Sequence, residues 1–398
     1  MRRIAGGSVL LLAFCLGVRA QHDQQARTAT PPAPQPAAIA RFAFGGNAAE
    51  IPADFIDNLI FLPVHVNQSQ PSLFQLDSTA TSTSIDSGRA AELGVAGGPN
   101  AVLQMEGVEL SLPALTLVAR PDFNARVGRE YEGTLGNDFL GAVVIEINYA
   151  RRTVRLFDPA AFQYSGRGKA LPLKFMNGIP IVQAKFNAGG KTIDADFILN
   201  TALDVPVVIS NRYLEAHRFF SARTRTIPAV DQQTEGREGD TLARLPLFQI
   251  GPFTVAQSIA EFSKRNLPGN DPRLAGEIGG GMLRRFMITL DFLRQQAIFD
   301  ASSDFRADDE ADMSGLSISA SGPGLKRFEI TDVRSGTPGS DAGIQKGDVI
   351  AGIDDEPAAD LSLAAIHTLF RQITHPYKLL LERNGQTVTV TLKVRRLL

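Results

Sequence analysis

The chain has 398 residues, 44% of them apolar, and its 36 Gly and 23 Pro are typical of folded β-rich modules. A formal net charge of −2, with no cluster of Lys and Arg away from the ends, gives no electrostatic footprint for DNA or RNA. Nucleic acid is therefore excluded as an expected partner, and the length predicts about two to three domains.

The first elements in chain order are an export signal and a tether. Residues 1–20 combine Arg2 and Arg3 with an apolar stretch from Val9 to Val18 and end in a small residue, Ala20, which is typical of a cleaved signal peptide. Residues 21–41 are rich in Pro, Ala and Gln and predict an extended linker. We expect an exported protein, periplasmic or extracellular, with no stable membrane span, since no later segment has eighteen uninterrupted apolar residues.

Cysteine usage excludes several kinds of site. The one cysteine, Cys15, lies inside the signal, and the bulky Phe14 before it fits a lipoprotein cleavage box poorly, although lipidation stays open. The mature chain then has no disulfide and no thiolate metal site. The five histidines are scattered without metal-ligand spacing, and Gly-rich phosphate loops are lacking. We predict no metal and no cofactor.

A long internal repeat follows. Leu76-Asp77-Ser78-Thr79-Ala80 recurs as Leu199-Asn200-Thr201-Ala202-Leu203, each at the end of two apolar segments that predict strands. Leu135-Gly136 recurs later as Ile278-Gly279, before two more predicted strands. The copies lie 123 residues apart at Asp77 and Asn200 and 143 apart at the second pair, so lobe 2 should contain an insertion, most simply in residues 223–240. We predict two homologous all-β lobes, lobe 1 (residues 42–165) and lobe 2 (residues 166–303).

An acidic stretch separates the repeat from a different module. Residues 304–313 contain Asp304, Asp308, Asp309, Glu310 and Asp312, and the like charges predict a solvated linker. Residues 314–398 have the order strand, short helix, strand, longer helix and two strands, and they contain the run Gly336-Thr337-Pro338-Gly339-Ser340-Asp341-Ala342-Gly343-Ile344. This module resembles a bacterial PDZ domain.

The PDZ resemblance implies binding of a peptide or protein C-terminus. Such a domain adds a peptide strand to its sheet and holds the terminal carboxylate in a nest of backbone N–H groups. By resemblance, Gly315-Leu316-Ser317-Ile318 takes the carboxylate-loop position, and the apolar residues Ile366, Leu369 and Phe370 would form the helix wall of the groove. His367 reads as an exposed helix residue and not as a ligand contact.

The repeated lobes resemble the pepsin and retropepsin fold. A strand ending in an Asp motif and a later hydrophobic-Gly pair occur in each lobe of that fold, and the whole plan resembles bacterial aspartyl-protease-like proteins that carry a C-terminal PDZ domain. The resemblance implies a mostly β chain of two aspartic-peptidase-like β-barrels followed by an α+β PDZ domain. It also implies an extended peptide in the interlobe cleft.

The same resemblance makes Asp77 the first catalytic candidate and places Asn200 where the second carboxylate belongs. Aspartic sites need two carboxylates that share a proton, and an amide cannot take part in that exchange. Thr79 and Ala202 stand where the motifs have Gly. Ser78 and Thr201 keep hydroxyls at the positions that clasp across the lobe interface, and Ala80, Leu135, Gly136, Ile278 and Gly279 are expected to support the cleft.

Three functions remain open from the sequence. The first is an exported protein that binds peptides in the cleft and through the PDZ domain without cutting them. The second is an active endopeptidase with an atypical site built on Asp77, and the third is a non-catalytic envelope scaffold. Asp204 reads as a loop residue and Asp138 as a structural one. The sequence leaves substrate preference, native partner and oligomeric state undetermined.

Overall fold

The computed structural model describes residues 38–43, 48–95, 101–119, 123–217, 226–229 and 239–398. The predicted signal peptide, most of the predicted linker, Cys15 and much of the predicted insertion lie outside the described residues. None of the helices in the described part combines the length and apolar composition needed to span a bilayer.

Lobe 1 has a nine-stranded sheet, three further strands and three short helices. Its strands are β1 (Ile39–Phe42), β2 (Ala48–Ile51), β3 (Asp54–Ile56), β4 (Leu59–Val66), β5 (Ser72–Leu76), β6 (Ser84–Asp86), β7 (Ala101–Met105), β8 (Val108–Leu112), β9 (Thr116–Val118), β10 (Gly133–Leu135), β11 (Val144–Asn148) and β12 (Thr153–Phe157). Its helices are α1 (Ser87–Glu92), α2 (Phe123–Val127) and α3 (Asn137–Leu140). The strand order is β1-β8-β7-β4-β5-β10-β6-β9, with β3 on β4. The first strand, β1, begins at Ile39, so it includes the last three residues of the predicted linker (residues 21–41).

Lobe 2 repeats this plan. Its strands are β13 (Lys169–Pro172), β14 (Lys174–Met176), β15 (Ile179–Ala188), β16 (Lys191–Leu199), β17 (Val207–Ser210), β18 (Ile227–Pro228), β19 (Thr241–Ile250), β20 (Phe253–Ser263), β21 (Leu274–Ile278), β22 (Phe286–Asp291) and β23 (Gln296–Ala301). Its helices are α4 (Asn211–His217) and α5 (Gly280–Leu283). The order is β14-β15-β16-β21-β17-β20-β19-β18, and β15 also pairs with β19, which closes the sheet on itself. β19 and β20 have ten and eleven residues against five each for β7 and β8, so lobe 2 is also longer at this hairpin, which follows the predicted insertion.

A third sheet joins the lobes. It runs β13-β23-β22-β11-β12-β2, and the pairing of β11 with β22, Ile145 opposite Leu290, connects lobe 1 to lobe 2. Most of the buried apolar residues of both lobes belong to one cluster, and each lobe has a smaller cluster of its own. The two lobes therefore share a core.

The C-terminal module has its own core. Its strands are β24 (Leu316–Ser321), β25 (Arg327–Val333), β26 (Val349–Ile353), β27 (Glu356–Pro357), β28 (Tyr377–Arg383) and β29 (Gln386–Leu392), with helices α6 (Pro338–Asp341) and α7 (Leu363–Phe370). The sheet runs β24-β25-β26-β28-β29, so β24 is an edge strand among the described residues. Ser362 caps α7 by accepting a hydrogen bond from the Ala365 N–H at 3.1 Å, as expected for an N-cap serine.

The acidic stretch is not the solvated linker predicted from its charge. Asp309 is only 4% exposed. Its carboxylate pairs with Arg285 at 2.6 Å and accepts a hydrogen bond from the Ser258 hydroxyl at 2.7 Å, and both partners belong to lobe 2. The expectation was wrong because these partners lie far away in sequence and neutralise the charge that the local pattern leaves unopposed.

Candidate functional site

The two motifs of the repeat meet at the lobe interface with matching backbone geometry. β10 runs parallel to β5 with Leu135 opposite Leu76, and β21 runs parallel to β16 with Ile278 opposite Leu199. The Asp77 N–H donates to the Leu135 carbonyl at 3.0 Å, and the Asn200 N–H donates to the Ile278 carbonyl at 2.9 Å. Each motif is thus held at the end of its strand by the hydrophobic-Gly segment of its own lobe.

Both glycines of the hydrophobic-Gly pairs are required by close backbone approach. A methyl group added at Gly136 would lie 2.5 Å from the Ser82 carbonyl carbon, and one added at Gly279 would lie 2.3 Å from the Val205 oxygen. Those distances are shorter than van der Waals contact allows, so only Gly lets the chain cross behind each motif.

Ser78 and Thr201 form the predicted clasp between the lobes. The Ser78 N–H donates to Thr201 Oγ1 and the Thr201 N–H donates to Ser78 Oγ, both at 3.0 Å. Each hydroxyl also donates across the interface, Ser78 Oγ to the Leu199 carbonyl at 2.6 Å and Thr201 Oγ1 to the Leu76 carbonyl at 2.9 Å. Both residues are fully buried, and four reciprocal hydrogen bonds fix the distance between the two motifs.

Asp77 and Asn200 lie at equivalent places beside this clasp. Asp77 Oδ1 accepts hydrogen bonds from the Thr79 N–H and hydroxyl, both at 2.7 Å, and from the Ala80 N–H at 3.2 Å. Asn200 Oδ1 accepts one from the Ala202 N–H at 2.9 Å. Thr79 at the motif glycine position is therefore accommodated, and its hydroxyl adds a donor to the carboxylate.

Glu277 is the site residue that the sequence reasoning missed. It precedes Ile278 in β21, it is 0% exposed, and its Oε2 accepts a hydrogen bond from Asn200 Nδ2 at 2.6 Å. Arg265 pairs with its other oxygen at 2.7 Å. Burial raises the pKa of Glu277 and outweighs the opposing effects of Arg265 and Asn200, while Glu261 and Asp77 raise that pKa further. The one signal in the sequence was the presence of a Glu in the segment that forms β21. The structure shows that every residue of this strand is buried.

The remaining acidic residues of the site have structural roles. Asp138 accepts hydrogen bonds from the Thr83 N–H at 2.9 Å and the Thr83 hydroxyl at 2.5 Å, which holds the loop after the first motif. Asp204 lies in the loop after the second motif, where its carbonyl accepts a hydrogen bond from Asn58 Nδ2 at 3.0 Å. No cluster of three or more His, Cys, Asp or Glu side chains suited to a metal ion occurs among the described residues.

The C-terminal module places its predicted groove residues in two different environments. Gly315 takes a positive φ of 76°, and Leu316, Ser317 and Ile318 follow it in the edge strand β24. Ile366 and Phe370, predicted to form the helix wall of the groove, are both 0% exposed and pack in the apolar cluster of this module. Leu369 is half-buried against that cluster.

Arg334 is a further residue near the carboxylate loop that the sequence did not indicate. Its backbone N–H donates to the Gly315 carbonyl at 2.9 Å. The NH1 and NH2 groups of its guanidinium are buried and have no hydrogen-bond partner among the described residues. Burial lowers the pKa of this guanidinium and outweighs the nearby charges of Asp312 and Asp332, which raise that pKa. The guanidinium therefore has two carboxylates near it, while its NH1 and NH2 groups keep the capacity to donate to a further acceptor.

Residues 309–394 match the family model for the PDZ domain. The chain contains a PDZ domain. With the sheets described above, this confirms the prediction of a mostly β chain in which two lobes precede a PDZ domain. A comparison with curated proteins gives no match. Among solved structures, the chain is similar to the crystal structure of basic 7S globulin from soybean, with 10% identity and a TM-score of 0.39 over 65% of this chain and 95% of that one.

Proposed function

We propose that the protein is an exported peptide-binding protein that holds extended peptides between its two lobes and a C-terminus in its PDZ domain, without cutting them. The observation that carries the proposal is the fixed amide of Asn200, which lies between the Ala202 N–H and the Glu277 carboxyl. The second motif thus presents a group that cannot exchange a proton with Asp77.

The resemblance to pepsin-like and retropepsin-like proteins supports a peptide as the ligand of the cleft. In that fold the motifs of two lobes meet beneath an extended substrate, and here both motifs, the hydrophobic-Gly pairs and the Ser78 and Thr201 clasp keep the corresponding arrangement. Removing one member of a general acid and base pair costs about 10² to 10⁴ in rate. The groups that position the motifs are therefore preserved better than the groups that would react.

The PDZ domain supports recognition of a free C-terminus. PDZ domains bind peptide C-termini, and in this one the Arg334 N–H donates to the carbonyl of Gly315, which the resemblance assigns to the carboxylate loop. We propose that Arg334 provides the charge partner for the terminal carboxylate.

Binding at the cleft and binding at the PDZ domain can be distinguished with peptides whose C-termini are either blocked or free. Peptides acetylated at the N-terminus and amidated at the C-terminus can use only the cleft, whereas the same sequences with a free C-terminus can also use the PDZ domain. We expect the parent protein to retain a pool of blocked decapeptides between pH 3 and 8 with no new termini detected by mass spectrometry. Arg334→Met should weaken the binding of free C-termini alone. Failure to retain blocked peptides would contradict the cleft proposal, and products that disappear in Asp77→Asn would contradict binding without cleavage.

A second candidate is an endopeptidase in which Glu277 replaces the missing carboxylate. The observation that favours it is a buried carboxyl of raised pKa, hydrogen-bonded to Asn200 and close enough to Asp77 for their charges to interact. Two titrating carboxyls whose environments differ are what acid and base roles require. Because Glu277 is fully buried and the Asn200 amide cannot pass on a proton, Glu277 would affect a substrate only by orienting and polarising that amide. Cleavage by the parent that is lost in both Asp77→Asn and Glu277→Gln would establish this candidate.

A further inference from the structure

The PDZ domain is in contact with lobe 1 at the two elements that form its peptide groove. α2 of lobe 1 lies alongside the edge strand β24. Gly128, the residue after α2, lies against Leu363 at the start of α7, since a methyl group added at Gly128 would be 2.5 Å from Leu363 Cβ. A PDZ ligand adds to the free edge of the strand and lies beside that helix. Residues 123–128, which we call the plug, thus occupy the side of the domain that a peptide would use.

An ion pair across the same interface holds this arrangement. The turn between β3 and β4 presents Asp57, whose carboxylate accepts a hydrogen bond from His367 Nδ1 at 2.8 Å and one from Arg371 NH1 at 3.0 Å. We call these three side chains the latch. Asp57 is only 12% exposed, and Arg371 directly follows α7. The prediction that His367 is simply an exposed helix residue was therefore wrong, because its partner comes from lobe 1.

The latch is electrostatically favourable despite its burial. Burial raises the pKa of Asp57, but the hydrogen bond and charge of His367 together with Arg371 outweigh it and hold that pKa below its usual value. A cavity of about 350 Å³ lies next to the contact, bordered on lobe 1 by residues that include Val127 and Glu130 and on the PDZ domain by residues that include Leu325 and Ser362. The interface is thus tight at the plug and latch and open beside them, which leaves room for movement.

We propose that the PDZ groove of this protein is closed by its own plug, and that a peptide C-terminus enters only when the latch opens and residues 123–128 leave β24. This regulation rests on the proposed capture of C-termini by the PDZ domain. A ligand must then compete with an intramolecular contact, which lowers its apparent affinity by the fraction of molecules that are open.

Two pairs of variants in the full chain test the plug. Asp57→Asn removes the latch charge, and its control Asp354→Asn removes the partner of His375 in a pair of the same chemistry and the same 2.8 Å distance that lies within the PDZ domain. Both positions have a positive φ, 45° and 54°, which Asn tolerates. Gly128→Ala forces the plug away from Leu363, and its control Gly94→Ala has the same backbone strain, with φ of 64° against 67° but no atom within 4 Å.

The measurement is the affinity of each protein for a pool of fluorescent decapeptides with free C-termini, with the amidated pool as the reference for carboxylate-independent binding. We expect Asp57→Asn and Gly128→Ala each to bind free C-termini on the order of tenfold more tightly than the parent. Both controls should stay within about twofold of the parent, because neither changes the interface. Peptide bound to the parent should also speed amide hydrogen exchange in residues 123–128.

The outcomes distinguish the plug from the proposed function beneath it. If the parent binds free C-termini as tightly as Asp57→Asn and Gly128→Ala, the plug is wrong and PDZ capture stands. Unchanged exchange in residues 123–128 with peptide bound would also contradict displacement of the plug. If none of the five proteins prefers free over amidated C-termini, both the plug and PDZ capture are wrong.

Discussion

The ends of β5 in lobe 1 and β16 in lobe 2 have matching backbone hydrogen bonds and different side-chain chemistry. In lobe 1 the strand leads to Asp77, whose Oδ1 is surrounded by three donors from Thr79 and Ala80. In lobe 2 it leads to Asn200, whose amide is fixed by Ala202 and by the buried Glu277. The comparison shows that the two lobes place the turn at the same point, while the side chain at the turn differs.

The supports behind the two motifs differ as well. In lobe 1, Asp138 and the Thr83 hydroxyl hold the loop, and that hydroxyl also accepts a hydrogen bond from the Gly136 N–H at 3.2 Å. In lobe 2 the Gly279 N–H donates to the Pro206 carbonyl at 3.0 Å, so the backbone alone makes the equivalent contact. In lobe 2 the buried carboxylate is that of Glu277, which contacts the motif through the side chain of Asn200.

The largest expected effect comes from removing a hydrogen-bonding group of the clasp that joins the two lobes. Thr201→Val removes a hydroxyl that joins the Ser78 N–H to the Leu76 carbonyl and leaves both groups buried without that partner. We expect the free energy of unfolding to fall by about 2 to 4 kcal/mol, measured by urea denaturation. Thr254→Val, at an exposed strand position, is the control and should change it by less than about 0.5 kcal/mol. An equally small effect for Thr201→Val would mean that the clasp does not hold the lobes together.

A smaller effect is expected from making lobe 2 more like lobe 1. Asn200→Asp places a second carboxyl where the amide now lies 2.6 Å from Glu277, and two carboxylates at that distance cannot both ionise. We expect a loss of about 2 to 3 kcal/mol in the free energy of unfolding at pH 7, with recovery as the pH falls and the pair takes up a proton. Asn384→Asp, in an exposed turn, controls for the added charge. Equal stability of Asn200→Asp and the parent at pH 7 would show that Glu277 does not restrict this position.

The smallest expected effect is the contribution of Glu277 to the pH dependence of the free energy of unfolding. Since burial raises its pKa, the unfolded carboxyl ionises near 4.5 while the folded one still holds its proton. The parent should therefore lose stability as pH rises from 4.5 through the raised pKa. Glu277→Gln removes this contribution, so its unfolding free energy should decline less over the same range. Glu92→Gln, whose side chain is 69% exposed, should follow the parent. Parallel curves for Glu277→Gln and the parent would contradict the raised pKa.

The sequence predicted the repeated parts well because each has a local signal. The apolar strands before Asp77 and Asn200 and the close approaches at Gly136 and Gly279 follow from residue type and spacing. Three features could not be read in this way: the burial of Asp309, the role of Glu277 and the partner of His367. Each depends on a side chain from a distant part of the chain, Arg285, Asn200 and Asp57 respectively, and no local pattern encodes such a contact.

The central claim is that the loss of the second carboxylate is local to lobe 2 and that the rest of the cleft remains suited to peptide. The direct test is cleavage of the blocked decapeptide pool by the parent, by the double variant Asn200→Asp/Glu277→Gln, and by that variant with Asp77→Asn added. We predict no cleavage by the parent and a gain of cleavage in the double variant that Asp77→Asn abolishes. Parent cleavage that depends on Asp77, or no gain in a folded double variant, would contradict the claim.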